Sequence, residues 1–189
     1  MIPLTPGRLI AAATSFDGLR EEGGNNRGLM IEKFLNDVGL EAGQPWCAAF
    51  VHHVGYWSHF DSETRQSSWS LPDTGSCYLL GHFALRNDIL RDEPTEGDVF
   101  LVWKSTLGRF AHTGVVVRVR QAGKSLAGNP WFDCDTVEGN SNEAGSRDAT
   151  SVVRIVRRFN PSAGDRFIRW AILGNRGGAV LTPTATRAA

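Results

Sequence analysis

Cysteine is scarce in this chain. There are three, Cys47, Cys77 and Cys134, among 189 residues, an odd count at wide and irregular intervals. Such spacing excludes a disulfide framework. Without paired ligands of the C-x-x-C kind it also excludes a structural zinc site of the usual type. One Cys77–Cys134 bond stays open, with reduced thiols as the expectation. Net charge is lacking as well, because 20 basic residues balance 20 acidic ones. A general nucleic-acid binder needs excess positive charge to displace counterions from phosphates, so that class is excluded. No apolar run approaches the roughly 20 residues of a membrane-crossing helix, and no internal repeat is visible. The opening "MIPLTPGRLIAAATSF" has an "AAA" that imitates a signal-peptidase site. Its one early positive charge is Arg8, and the stretch after it is too short and mixed for the apolar region of a secretory signal. No secretory signal is expected.

What is present is an ordinary globular balance, 41% hydrophobic and 21% charged residues, of a size suited to one domain with one core. Four helical patterns come first. "TPGRLIAAATSF" begins with a Thr-Pro pair suited to an N-cap and first turn. "RGLMIEKFLNDVG" sets Ile31, Phe34, Leu35 and Val38 at helical spacing and stops at Gly39. "QPWCAAFVHHVGYW" puts Cys47, Phe50, Val51 and Val54 on one stripe, and "SCYLLGHFALRN" is a fourth helix with an internal glycine. After about residue 94 the texture changes to short β-rich runs punctuated by Gly, Pro, Asn and Asp. These are 97–103, 112–120, 132–139, 151–159 and 169–174. Helices segregated before strands predict an α+β domain with an antiparallel sheet. The expected division is a helical lead-in at 1–19, the main domain at 20–175, and a mobile tail at 176–189 that ends in "TPTATRAA".

The chemistry turns on "GQPWCAAFVHHV". Pro45 suits the first helical position, which places Cys47 in the first turn. There the unpaired N–H groups and the macrodipole favour a thiolate, and could also hold an oxyanion. The competing reading is a buried, inert small hydrophobe. Neither adjacent histidine serves as its base. At about 100° per residue, His52 lies about 140° around the helix from Cys47 and His53 about 240°, so both are expected on the outer or partner-facing side. His59 misses the cysteine's face too, and His82 is expected to be partly buried and structural. His112 opens the strand "HTGVVVRVR" and could be carried across the start of the cysteine helix. A structural histidine is the competing reading. In "TVEGNSN", Glu138 and Asn140 share a face of an extended segment. Either could hold the second nitrogen of a histidine and fix its tautomer, unless the run simply ends in a Gly-Asn turn. Trp46 and Trp131 are candidates for cleft walls.

Together, "GQPWCAAFV", "PTEGDVFLVW" (94–103), "AHTGVVV" (111–117) and "VEGNSN" (137–142), in that order, resemble the CHAP family of cysteine- and histidine-dependent amidohydrolases and peptidases. These are relatives of NlpC-type cell-wall hydrolases with a papain-like fold. The resemblance spans about residues 20–160 and includes "EEGGNNRG" (21–28). It implies Cys47 as nucleophile, His112 as general base and then acid, Glu138 as the orienting group and Asn140 as an auxiliary polar residue. It also implies the substrate, an amide of peptidoglycan, either the muramoyl–alanine link or a bond of the stem peptide or cross-bridge. A monomer with no stable membrane association is expected, reaching the wall by phage or by another non-Sec route. Gln44 stands only three residues before Cys47, unlike papain's oxyanion glutamine, so backbone N–H groups are the expected oxyanion donors. Some members carry calcium in an acidic loop. Here Asp17, Glu21, Glu22, Asn25 and Asn26 lack the D-x-D-x-D/N spacing of such a loop, so no metal and no cofactor is expected. The alternatives are a papain-like amidohydrolase acting on a non-wall amide, and an inactive fold that only binds wall material or a partner.

Overall fold

From Cys47 to Gly55 every residue of the cysteine helix is buried, so the apolar stripe read from the sequence is only part of a helix enclosed on all sides. Its surroundings come from both halves of the chain. The computed structural model describes residues 3–142 and 149–175, and the tail expected at 176–189 lies outside them. Helices α1 (Pro6–Thr14) and α2 (Leu29–Asp37) precede the cysteine helix α3 (Cys47–Ser58). A small hairpin, β1 (Phe60–Asp61) and β2 (Gln66–Ser67), leads to α4 (Cys77–Arg86). The rest is β3 (Leu90–Arg91), β4 (Val99–Lys104), β5 (Arg109–Lys124), β6 (Pro130–Ser141), β7 (Ser151–Phe159), β8 (Arg166–Ile168) and the short α5 (Ile172–Asn175). The architecture is α+β. Six strands form one antiparallel sheet in the order β3-β8-β4-β5-β6-β7.

Period-two alternation sorts the sheet into two apolar layers. Val99, Leu101, Val115 and Val137 join the helices in the main core, together with Leu9 and Ala13 of α1. Phe100, Val116, Cys134, Phe159 and Phe167 form a second cluster. No helix among the described residues is long and apolar enough to cross a membrane.

One expected strand is absent. In the run 169–174, Ile172 N–H donates to Arg169 O at 3.3 Å and Leu173 N–H to Trp170 O at 3.0 Å, so the chain turns. Trp170 is buried there with its indole N–H on Gly97 O at 2.7 Å. The strand lies just before it, as β8. A short apolar run does not distinguish a strand from a buried turn by periodicity alone.

Two irregularities of the sheet shape the region around the start of α3. Val102 lies opposite His112 but Trp103 lies opposite Phe110, so Ala111 is an extra residue, a bulge that re-aims the side chains beside it. At the end of β6, Gly139 lets the strand backbone press on α3. A Cβ there would sit 2.6 Å from the Trp46 ring and 2.8 Å from Phe50 Cβ. Gly139→Ala is therefore expected to cost about 1–3 kcal/mol by overpacking. A lowered urea midpoint with unchanged slope checks this.

Candidate active site

The start of α3 is held by hydrogen bonds from distant parts of the chain. Trp46 is the N-cap and Cys47 the first helical residue, so Pro45 sits one position outside the cap and not at the first helical position. A helix leaves its first N–H groups without intrahelical partners. Asn140 Oδ1 accepts from Trp46 N–H at 3.2 Å, and Asn140 Nδ2 donates to Asn26 Oδ1 at 3.1 Å and to Ala149 O at 2.8 Å. Asn26 Nδ2 in turn donates to Gly43 O at 3.2 Å. Both oxygens of Glu21 are engaged, by Trp46 Nε1–H at 2.8 Å and by Asn26 N–H at 2.7 Å. The segment "EEGGNNRG" is thus a brace for the cysteine helix. Trp46 is fully buried within it and is not a cleft wall. Trp131 lies at the far end of β6, under the guanidinium of Arg158 at 4.3 Å.

Cys47 and His112 face each other across the gap between α3 and β5. His112 Nε2 lies 2.8 Å from Glu138 Oε2. Glu138 is fully buried, and its oxygens also accept from Thr136 Oγ1 at 2.7 Å and Ser141 Oγ at 3.1 Å. Arg157 completes the set, with Nε 2.6 Å from Oε1 and Nη2 2.5 Å from Oε2. An ionised carboxylate only accepts hydrogen bonds, so His112 Nε2 carries a proton. Nδ1 on the other side of the ring finds no hydrogen-bond partner among the described residues. It is left to Cys47, whose sulfur is close enough to interact with the imidazole, short of a formed hydrogen bond. Such looseness is common before substrate binds.

Of the two residues expected to share a face, Glu138 meets the imidazole and Asn140 does not. The β6–β7 register shifts between Glu138 and Ser141, and Asn140 adopts a left-handed φ of 56°. The strict period of two ends there, and Asn140 turns to the helix start.

Burial would raise the carboxyl value of Glu138, but the hydrogen-bonded Arg157 and His112 outweigh it and hold it at about 2. Burial would lower His112, but Cys47 and Glu138 raise it to about 9. Cys47 is held well below the ordinary thiol value. The largest cause is the Cys77 thiol, whose sulfur is 3.7 Å away. Burial opposes the effect, and His112 and the Thr113 N–H add to it. These directions describe a thiolate–imidazolium pair. Glu138→Gln removes a negative charge beside His112, so imidazolium is expected to lose its proton below about 9 in that variant. NMR titration of the imidazole checks this, and an unmoved midpoint would remove Glu138 from the pair.

Cys47 lines a groove of about 180 Å³ with Gln44, Cys77, Tyr78, Arg109 and Phe110. The other histidines are engaged elsewhere. Of the outer or partner-facing side expected for His52 and His53, the outer one is ruled out, because both are buried and α3 has no solvent side at that point. His53 Nδ1 lies 2.6 Å from Asp37 Oδ2, and His52 faces Asp73 and stacks on Tyr56. His59 is fully buried, its Nε2 accepting from Thr5 N–H at 3.2 Å. His82 is exposed beside Tyr78, where partial burial was expected.

Sequence reasoning missed Arg157 and Cys77. Arg157 had a legible signal. In "SVVRIVRRF" it shares its parity with Val153, Ile155 and Phe159, so it is a lone charge on an otherwise apolar face. For Cys77 no signal links it to Cys47.

A thiol at a helix start, an imidazole, and a carboxylate on the second ring nitrogen make an arrangement suited to acyl transfer. No family model matches this chain, and neither the curated proteins nor the solved structures compared with it give a match.

Proposed function

We propose that the protein is a papain-like cysteine amidohydrolase of CHAP type that cleaves an amide of peptidoglycan. The observation that carries the reading is the succession Cys47, His112, Glu138, in which Cys47 lines the groove, Glu138 holds one nitrogen of the buried imidazole and Nδ1 is left to the sulfur. Cys47 thiolate attacks the amide carbonyl while the first N–H groups of α3 receive the oxyanion. Imidazolium His112 gives its proton to the leaving amine, and Glu138 holds the ring throughout. In the second half, neutral His112 takes a proton from water, hydroxide displaces the thiolate from the acyl-enzyme, and the acid product leaves.

The groove of about 180 Å³ beside Cys47 has room for the short side chains of wall stem peptides, such as alanine. Arg109 at its exposed rim offers a cation to the free carboxylates such peptides carry. Mass spectrometry of fragments released from purified peptidoglycan tests the proposal and names the bond. Release of new amine and carboxyl ends by the native protein, absent with Cys47→Ala, is expected. Intact walls of every chemotype beside turnover of a non-wall amide would sink the wall assignment and keep the thiol mechanism.

A further inference from the structure

Amide cleavage by Cys47, His112 and Glu138 does not use Cys77, yet its sulfur lies 3.7 Å from that of Cys47. Each cysteine is the first residue of its helix, α3 and α4. They are 30 positions apart in sequence, and both line the same groove. Neither is in a disulfide, and each retains slight exposure, 6% for Cys47 and 7% for Cys77. Both sulfurs thus belong to residues that reach solvent at the groove. The third cysteine supplies an internal contrast. Cys134 is fully buried in the second apolar cluster, remote from the groove lining, and its thiol is pushed up to about 12, chiefly by burial.

We propose that Cys47 and Cys77 form a reversible disulfide when the protein meets a hydroperoxide, with Cys47 the attacking thiol and Cys77 the resolving one. Closure asks the sulfurs to move from 3.7 Å to the bonded distance of about 2.05 Å. In the first step Cys47 thiolate attacks one oxygen of hydrogen peroxide and the O–O bond breaks. This gives Cys47 sulfenic acid and hydroxide, with sulfur oxidised and peroxide reduced. In the second, Cys77 sulfur attacks the sulfenic sulfur. The S–S bond forms, the S–OH bond breaks, and the hydroxyl leaves with the Cys77 proton as water. A dithiol reductant restores both thiols by exchange. The bond occupies the nucleophile, so the oxidised protein is inactive and the sulfur is protected from further oxidation. This regulation rests on the proposed role of Cys47 in catalysis, but the covalent chemistry does not.

The test therefore reads the bond itself. The native protein is treated with a small molar excess of hydrogen peroxide, alkylated with iodoacetamide, digested and analysed by mass spectrometry. Expected are an intact mass about 2 Da lower in a portion taken before alkylation and, after digestion, a linked peptide pair containing Cys47 and Cys77. Cys134 should stay a thiol, and full iodoacetamide labelling of Cys47 should return after dithiothreitol. In Cys77→Ser, and equally in Cys77→Ala should the serine variant fold poorly, Cys47 is expected to advance to sulfinic and sulfonic acids that dithiothreitol does not reverse. Equal accumulation of those acids on Cys47 in native and variant proteins, with no linked pair, would overturn the proposal. If the pair forms and reverses in a protein that cleaves no amide, the disulfide stands and the catalytic reading falls.

Discussion

Under the proposed mechanism Cys47→Ala is expected to abolish amide cleavage, with turnover lower by about 10,000-fold or more, and to leave the protein folded. The size follows from the site having one nucleophile. Without the sulfur no acyl-enzyme forms, and the oxyanion donors and the imidazole are left to assist water alone, a small residual of the whole. Folding survives because alanine suits the first turn of a helix and the lost atom leaves a gap open to the groove. His112 reports the same change from the other side. Its raised value of about 9 depends on Cys47 among other causes, so the imidazolium of the alanine variant loses its proton at lower pH. Circular dichroism, an activity assay and a histidine titration together check this. Lysis or amide cleavage persisting at the native rate in Cys47→Ala would end the thiol mechanism. For the native protein a bell-shaped pH–rate profile is expected. The acid limb falls as the thiolate takes a proton, and the alkaline limb falls as His112 loses one near 9.

Arg157→Met has the largest expected effect on stability, a loss of about 3–5 kcal/mol. Arg157 is the guanidinium that faces the fully buried Glu138 through two hydrogen bonds, and methionine leaves that carboxylate inside the protein without its cation. For a domain of this size the melting temperature falls by about 10 °C. Glu138, held at about 2 with Arg157 in place, rises toward the ordinary carboxyl range, so the imidazole loses part of its orienting charge and turnover falls with stability. The pH dependence has a definite sign. A carboxyl depressed in the folded state stabilises the fold above its ordinary value and loses that contribution as pH falls toward about 2. Arg157→Met gives up most of that acid-side contribution. Adding Glu138→Gln to Arg157→Met removes the stranded charge and recovers part of the stability. Denaturation midpoints of the two single variants and the double variant measure this cycle, and an additive double variant would mean that the two side chains do not interact.

The fold was legible where pattern follows geometry. Ile31, Phe34 and Leu35 announce α2 by spacing and are its buried face, and the β-rich run "HTGVVVRVR" marks β5. It failed where tertiary burial overrides local pattern. Nothing local tells that His52 and His53 lie on a helix with no solvent side, or that Trp170 turns the chain by seeking Gly97 O. The pairing of His112 with Glu138 could be suspected from residue types and order, because adjacent strands bring them together. The bulge at Ala111 and the left-handed Asn140 could not, since both arise from how strands settle against α3. Cys77 stayed hidden for a plainer reason. The closeness of two helix starts is a property of packing between elements, and no period within either one records it.

The brace at the start of α3 has a consequence for how the protein comes into being. Trp46 N–H waits on Asn140, 94 positions further along, and Asn140 reaches back 114 positions to Asn26. Loop closure over such separations comes late in folding, and a chain made from its N-terminus exposes Cys47 long before Glu138 or Arg157 exists. On the ribosome the emerging polypeptide thus carries a thiol without its imidazole, its carboxylate or its anchored helix start. Under the proposed mechanism, the site is complete only once β6 and β7, which carry Glu138, Asn140 and Arg157, close over the first half.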